Sequence, residues 1–136
     1  MNSIPAELAD LLHYCHSLAK LLFDEQGEFY PFGVYLNNEH KITQRMFNDG
    51  DDFPLSTGLI SIMKNDFDLQ LAAGNLIASA ITYEAKVTNE RYSTPAEVIA
   101  VRFNASFLKT AIVHYLPFRI TADNKVEYMA SWIEEE

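Results

Sequence analysis

Glu84, Arg102 and His114 are the residues of this chain whose types and placement best fit chemistry. Thr82, Glu84 and Lys86 alternate along one segment and would share a strand face, with Arg102 and Asn104 across from them on the next strand. An acid, a cation and hydrogen-bonding groups gathered there would hold a substrate carboxylate or move protons. A cross-strand ion pair between Glu84 and Arg102 accounts for the same residues without a reaction. His114 alternates with Ile112 and Leu116 on an otherwise apolar face, the setting of a satisfied, partly buried imidazole more than of a general base.

Two other groupings suggest metal. His13, Cys15 and His16 lie close in sequence, but on a helix His13 and His16 share a face while Cys15 points into the apolar stripe. A structural zinc site needs four ligands, and no second Cys/His pair exists, so a core cysteine beside two surface histidines is the better account. Asp49, Asp51 and Asp52 around Gly50 resemble a calcium loop but lack its ligand register and closing glutamate. There is no phosphate-cradling glycine loop, serine elbow or Cys-x-x-Cys. No cofactor and no metal is expected.

At 136 residues the chain fits one domain, assigned to 1–133, with 134–136 as an acidic tail. An apolar fraction of 49% supports an ordinary core. The net charge of −9, with scattered basic residues, argues against nucleic-acid binding, which rests on clustered lysine and arginine. It suits a basic protein partner instead. The single cysteine, Cys15, excludes an internal disulfide, no secretory signal opens the sequence, and no apolar run approaches the roughly 20 residues of a membrane span. A cytoplasmic protein without membrane contact is expected.

The elements that would position these residues follow from periodicity. Ser3, Pro5, Glu7 and Asp10 form a helix start, and Leu8, Leu11, Leu12, Cys15, Leu18, Ala19 and Leu22 form one stripe ending at Gly27. From Phe29 the period becomes two, through Tyr30, Phe32, Val34 and Leu36. Asn37–His40 reads as a hairpin turn into a strand near Lys41–Phe47. After the Asp-rich loop, Pro54 starts a second helix with Leu55, Leu59, Ile62, Met63, Phe67 and Leu71 on its apolar face. Strands at Leu76–Val87, Ala96–Asn104, Leu108–Ile120 and Val126–Ile133 complete the order α-β-β-α-β-β-β-β. The expected fold is α+β, a mainly antiparallel sheet of about six strands with both helices on the face carrying Ile81, Val101 and Ile112.

These strands are apolar on both faces, the second using smaller residues. An uncovered apolar face marks an interaction surface, and the expected solution is a homodimer through Ala78, Ala80, Val98, Ala100, Val113 and Tyr115. A strongly curved sheet burying part of its own face is the monomeric alternative.

The segment Glu28-Phe29-Tyr30-Pro31-Phe32-Gly33 with its hairpin, Asp52-Phe53-Pro54 and Leu116-Pro117-Phe118-Arg119 resembles a family of small uncharacterised bacterial α+β proteins over most of the chain. That resemblance implies the architecture and a bacterial origin, and carries no established activity. Abundant apolar surface and few reactive groups point to a non-enzymatic binding or protein-interaction domain. An acidic, immunity-type inhibitor of a basic protein is one concrete form. The rival is a small-molecule enzyme with a polar cleft around Glu84 and Arg102, aided by His114.

Overall fold

Pro5, extended at ψ 143°, feeds a single 3-10 turn, Ala6–Leu8, that runs straight into helix α1, Ala9–Gln26. The helix stops where Gly27 adopts a left-handed φ of 75° and its N–H donates to the Phe23 carbonyl at 2.9 Å. Leu8, Leu11, Cys15, Ala19 and Phe23 are buried along one side, close to the stripe expected from spacing. Each large side chain buried there contributes roughly 1.5–3 kcal/mol.

These elements come from a computed structural model, which describes residues 4–45, 56–88 and 94–136. Strands β1 (Phe32–Asn37) and β2 (Ile42–Arg45) form a hairpin, and helix α2 (Ser56–Ala72) follows. Then come β3 (Leu76–Val87), β4 (Ala96–Ala105), β5 (Ile112–Ile120), β6 (Val126–Tyr128) and β7 (Trp132–Glu135). The expected Ser3 cap, Pro54 and Leu55 at the second helix start, and Asp49, Asp51 and Asp52 lie outside the described residues.

All pairings are antiparallel in one curled sheet of order β2-β1-β3-β4-β5-β6, with β7 also on β5. The expected α+β class and element order hold. His40 in the β1–β2 turn and Asn124 in the β5–β6 turn take the left-handed conformation, with φ of 63° and 61°.

The helices, however, occupy opposite faces. Ala80 belongs to the core under α1, with Val34, Ile99, Val101, Phe103 and Ile112. Its neighbour Ile81 belongs to the core under α2, with Leu59, Met63 and Phe67. Successive strand residues point to opposite sides, so the two cores share β3 as a wall. Grouping Ile81 with Val101 fails by one residue of register: Ile81 pairs with Arg102, and Thr82 with Val101.

A bulge reinforces this division. Leu36 pairs with Ala78 and Asn37 with Leu76, leaving Ile77 unpaired. Ile77 therefore packs with Ala78 toward α1, while Leu76 joins Ile81 under α2.

The expected last strand splits. Val126 and Tyr128 pair with Ile120 and Phe118, whereas Trp132–Glu135 pair with Tyr115–Ile112 after a one-residue shift in register. Glu134 and Glu135 thus extend the sheet, and the Glu136 N–H donates to the Ala111 carbonyl at 2.9 Å. The expected acidic tail is an ordered edge.

Candidate functional site

Glu84 and Arg102 do not converge. On β3, Ala80, Thr82 and Glu84 face the α1 side, and Arg102, opposite Ile81, faces the α2 side. Glu84 lies across from Ile99 and not from Arg102, so neither the ion pair nor the shared cleft forms between them. His114, beside Val101 on the α1 face, is separate from both.

Glu84 sits where β3 emerges from beneath α1 and meets the connector Glu28–Pro31. The Phe29 N–H donates to Glu84 Oε1 at 3.2 Å, tying the connector to the strand. Gln26, Glu28, Phe29, Tyr30, Pro31 and Glu84 enclose a depression of about 330 Å³. On its other flank Glu84 joins Ala85, Lys86, Glu97 and Phe118 around a second, of about 280 Å³. Glu97 and Phe118 in turn border a third, of about 510 Å³, with Pro95, Ile120 and Met129. Glu84 borders the first two and Glu97 and Phe118 the last two, so the three depressions lie in series across the strand ends.

The lining of this groove carries three carboxylates, Glu28, Glu84 and Glu97, against the cation Lys86 and the Glu127-paired Arg119, with apolar posts between. Burial pushes the Glu84 carboxyl above the usual range; the Phe29 N–H opposes that shift, and repulsion from Glu28 and Glu97 adds to it. Tyr30 is 55% exposed and Ile120 57% exposed, at the two ends. Arg119, beside Ile120, is already paired with Glu127. The aromatic connector is held from below by Phe29, whose ring meets Phe23 edge-on at 5.2 Å and Phe32 at 5.7 Å.

Arg102 lies on the opposite face, only 6% exposed. Its Nε donates to Glu136 Oε1 at 2.8 Å and its terminal nitrogen to Oε2 at 3.2 Å, a two-pronged grip. Asp68 of α2 accepts at 3.5 Å from the other terminal nitrogen and at 3.0 Å from Asn104. Burial works against the guanidinium charge, but Glu136 and then Asp68 more than offset it and hold its pKa above the usual value. Sequence spacing singled out Arg102 as a carboxylate holder, and it does hold one; the partner was hidden because Glu136 read as tail.

His114 is buried, and among the described residues its Nδ1 has no hydrogen-bond partner, nor has Nε2 of His16, whose ring centroid lies 5.1 Å away. His16 is thus turned into the α1–β5 contact and is not a surface histidine. Burial holds both imidazoles below their ordinary pKa, His16 at about 4, where His114, Lys20 and His13 add repulsion. Among the described residues no group of three or more His, Cys, Asp or Glu side chains could hold a metal ion.

The expected dimer residues divide as well. Ala78 and Ala80 lie under α1. Val98, Ala100 and Val113 are on the other face, packed with Tyr83, Tyr115 and Trp132 in a cluster where Val98 and Ala100 are 0% exposed within one chain. Tyr115 and Trp132 stack there at 5.1 Å. Among the described residues no helix is long and apolar enough to cross a membrane. No protein-family model, curated protein or solved structure matches the chain.

Proposed function

We propose that this protein is a non-enzymatic interaction module that receives a basic, extended segment of a partner protein along the groove from Tyr30 through Glu84 and Glu97 to Ile120. The observation that carries this reading is the serial placement of the three depressions, neighbours sharing Glu84 or Glu97 and Phe118. An extended strand of partner would meet carboxylates at Glu28, Glu84 and Glu97, which outnumber the Lys86 ammonium beside them, with apolar contacts at Tyr30 and Ile120 for side chains between its cations. The overall charge of −9 would steer such a partner toward the surface before contact.

An inhibitor of a basic protein, acting in the cytoplasm in the manner of an immunity protein, is the concrete form this takes. Self-association through the outer sheet face is the weaker fit, because Val98 and Ala100 are already covered within one chain. An enzyme built on Glu84 with Arg102 lacks the common cleft it needs.

The test is fluorescence anisotropy with a labelled peptide alternating lysine or arginine with leucine or tyrosine, against a counterpart carrying glutamate at the basic positions. The basic peptide binds, its affinity falls with added salt, and Glu84→Gln with Glu97→Gln weakens it about ten-fold or more. Equal binding of the acidic counterpart, or full affinity of the double variant, overturns the proposal.

A further inference from the structure

Arg102 is flanked on its face of the sheet by Ile81, Tyr83, Ala100 and Val113, and it is more than nine-tenths buried. A guanidinium in such a place must be neutralised, and what neutralises it is informative. Asp68 reaches it at 3.5 Å and is shared with Asn104. The strong contact is the parallel pair of hydrogen bonds to Glu136, and Lys64 of α2 stands 3.9 Å from the same carboxylate oxygen. The Tyr83 hydroxyl lies in the field of both Glu136 and Arg102.

Arg102, Lys64 and Asp68 are built into β4 and α2, while Glu136 enters from the sheet edge with its side chain 38% exposed. With Glu136 in place the four charges cancel, two positive against two negative. With its carboxylate withdrawn the remaining three leave one uncompensated positive charge, and the buried Arg102 keeps only the long 3.5 Å contact to Asp68. Glu134, the nearby acid on the same strand face, does not make up the deficit. Its Oε1 accepts from Trp132 Nε1 at 3.3 Å, and it interacts with Tyr115.

We propose that Arg102, with Lys64, forms a binding site for a small organic carboxylate, and that the Glu136 side chain occupies it as a built-in stand-in. The planar fork of Arg102 matches a carboxylate in a way a point charge would not, and Lys64 supplies the long-range attraction. A rotation of the Glu136 side chain vacates the site while the Glu136 N–H stays bonded to Ala111. The site lies on the opposite sheet face from Glu84, so it stands independently of the groove.

The experiment compares acetate binding to the full chain in its natural form, in Glu136→Ala and in Glu136→Ala with Arg102→Gln, by calorimetry and thermal shift at neutral pH. Sodium chloride at matched ionic strength controls for screening. A tethered carboxylate competes at an effective concentration in the millimolar range or above, so Glu136→Ala binds acetate at least about ten-fold more tightly than the natural chain. Its melting temperature rises with acetate and not with chloride, and Arg102→Gln abolishes both effects. Should Glu136→Ala fail to fold, Glu136→Asp, whose shorter arm draws the carboxylate back, is held to the same criterion. Acetate acting no differently from chloride, or binding that survives Arg102→Gln, overturns the proposal.

Discussion

His16 of α1 and His114 of β5 meet across the helix–sheet contact with ring centroids 5.1 Å apart and planes inclined at 53°. The charges acting on His16 are those of His114, Lys20 and His13, all of which oppose its protonation, and Glu135 lies on the α1 side of β7, which pairs with β5. Both rings are neutral at pH 7, and protonating either places a cation in an apolar seam.

Acid should therefore loosen α1. Both histidines titrate lower in the folded chain than in the unfolded one, so the unfolded chain takes up more protons as pH falls below about 6.5. Their stabilising contribution is complete above that pH and lost toward about 4, where His16 titrates when folded. His16 is partly exposed, so the loss from it is held to about 1–2 kcal/mol. Urea midpoints at pH 7.5 and 5.0 should differ for the natural chain, and the difference should shrink for His16→Gln, which leaves only His114. Equal differences in both would refute the assignment.

The Cys15 thiol should be inert in the folded protein. Burial pushes its pKa up to about 12, only slightly relieved by nearby Thr82, so almost no thiolate exists at neutral pH. A thiol reagent added at pH 8 should label it at the rate of global unfolding, and labelling should accelerate with urea.

Phe67→Ala should cost about 3–5 kcal/mol. Phe67 is fully buried in the core under α2 and faces the Tyr35 ring at 6.3 Å. Because α1 anchors a separate core, we expect helical circular dichroism to fall in two steps during denaturation of this variant. A single transition matching that of the natural chain would show that the cores do not separate.

Ala100→Glu should unfold the chain instead of releasing a monomer. Ala100 is 0% exposed within a single chain, between Tyr83 and Tyr115 in register. A carboxylate there has no partner and costs at least about 3 kcal/mol. Light scattering combined with circular dichroism separates the outcomes: a well-folded, smaller species would point to an interface between copies.

Spacing exposed the local structure of this chain well. The α1 stripe, the Asn37–His40 turn and the β3 limits follow from residue type, because each rests on interactions within a few residues. Register is a different kind of information. Nothing local says whether Ile81 pairs with Arg102 or with Val101, and that single step decided both the placement of α2 and the separation of Glu84 from Arg102. The acidic run Glu134–Glu136 hid a strand because its pairing edge is the backbone of β5, which composition does not reveal. His16 was lost for a related reason: an amphipathic stripe has margins, and only the position of β5 shows which margin is covered.

The double duty of β3 has a kinetic consequence. To slide by one residue, this strand would have to pull Ala78 and Ala80 from beneath α1 and Ile81 from beneath α2 at the same moment, against a bulge at Ile77 that fits neither new alignment. Partial opening cannot begin there. Amide protons from Ala78 to Thr82 should consequently exchange with solvent only when the whole molecule unfolds, while those of β2, paired along a single edge, exchange through far cheaper local excursions.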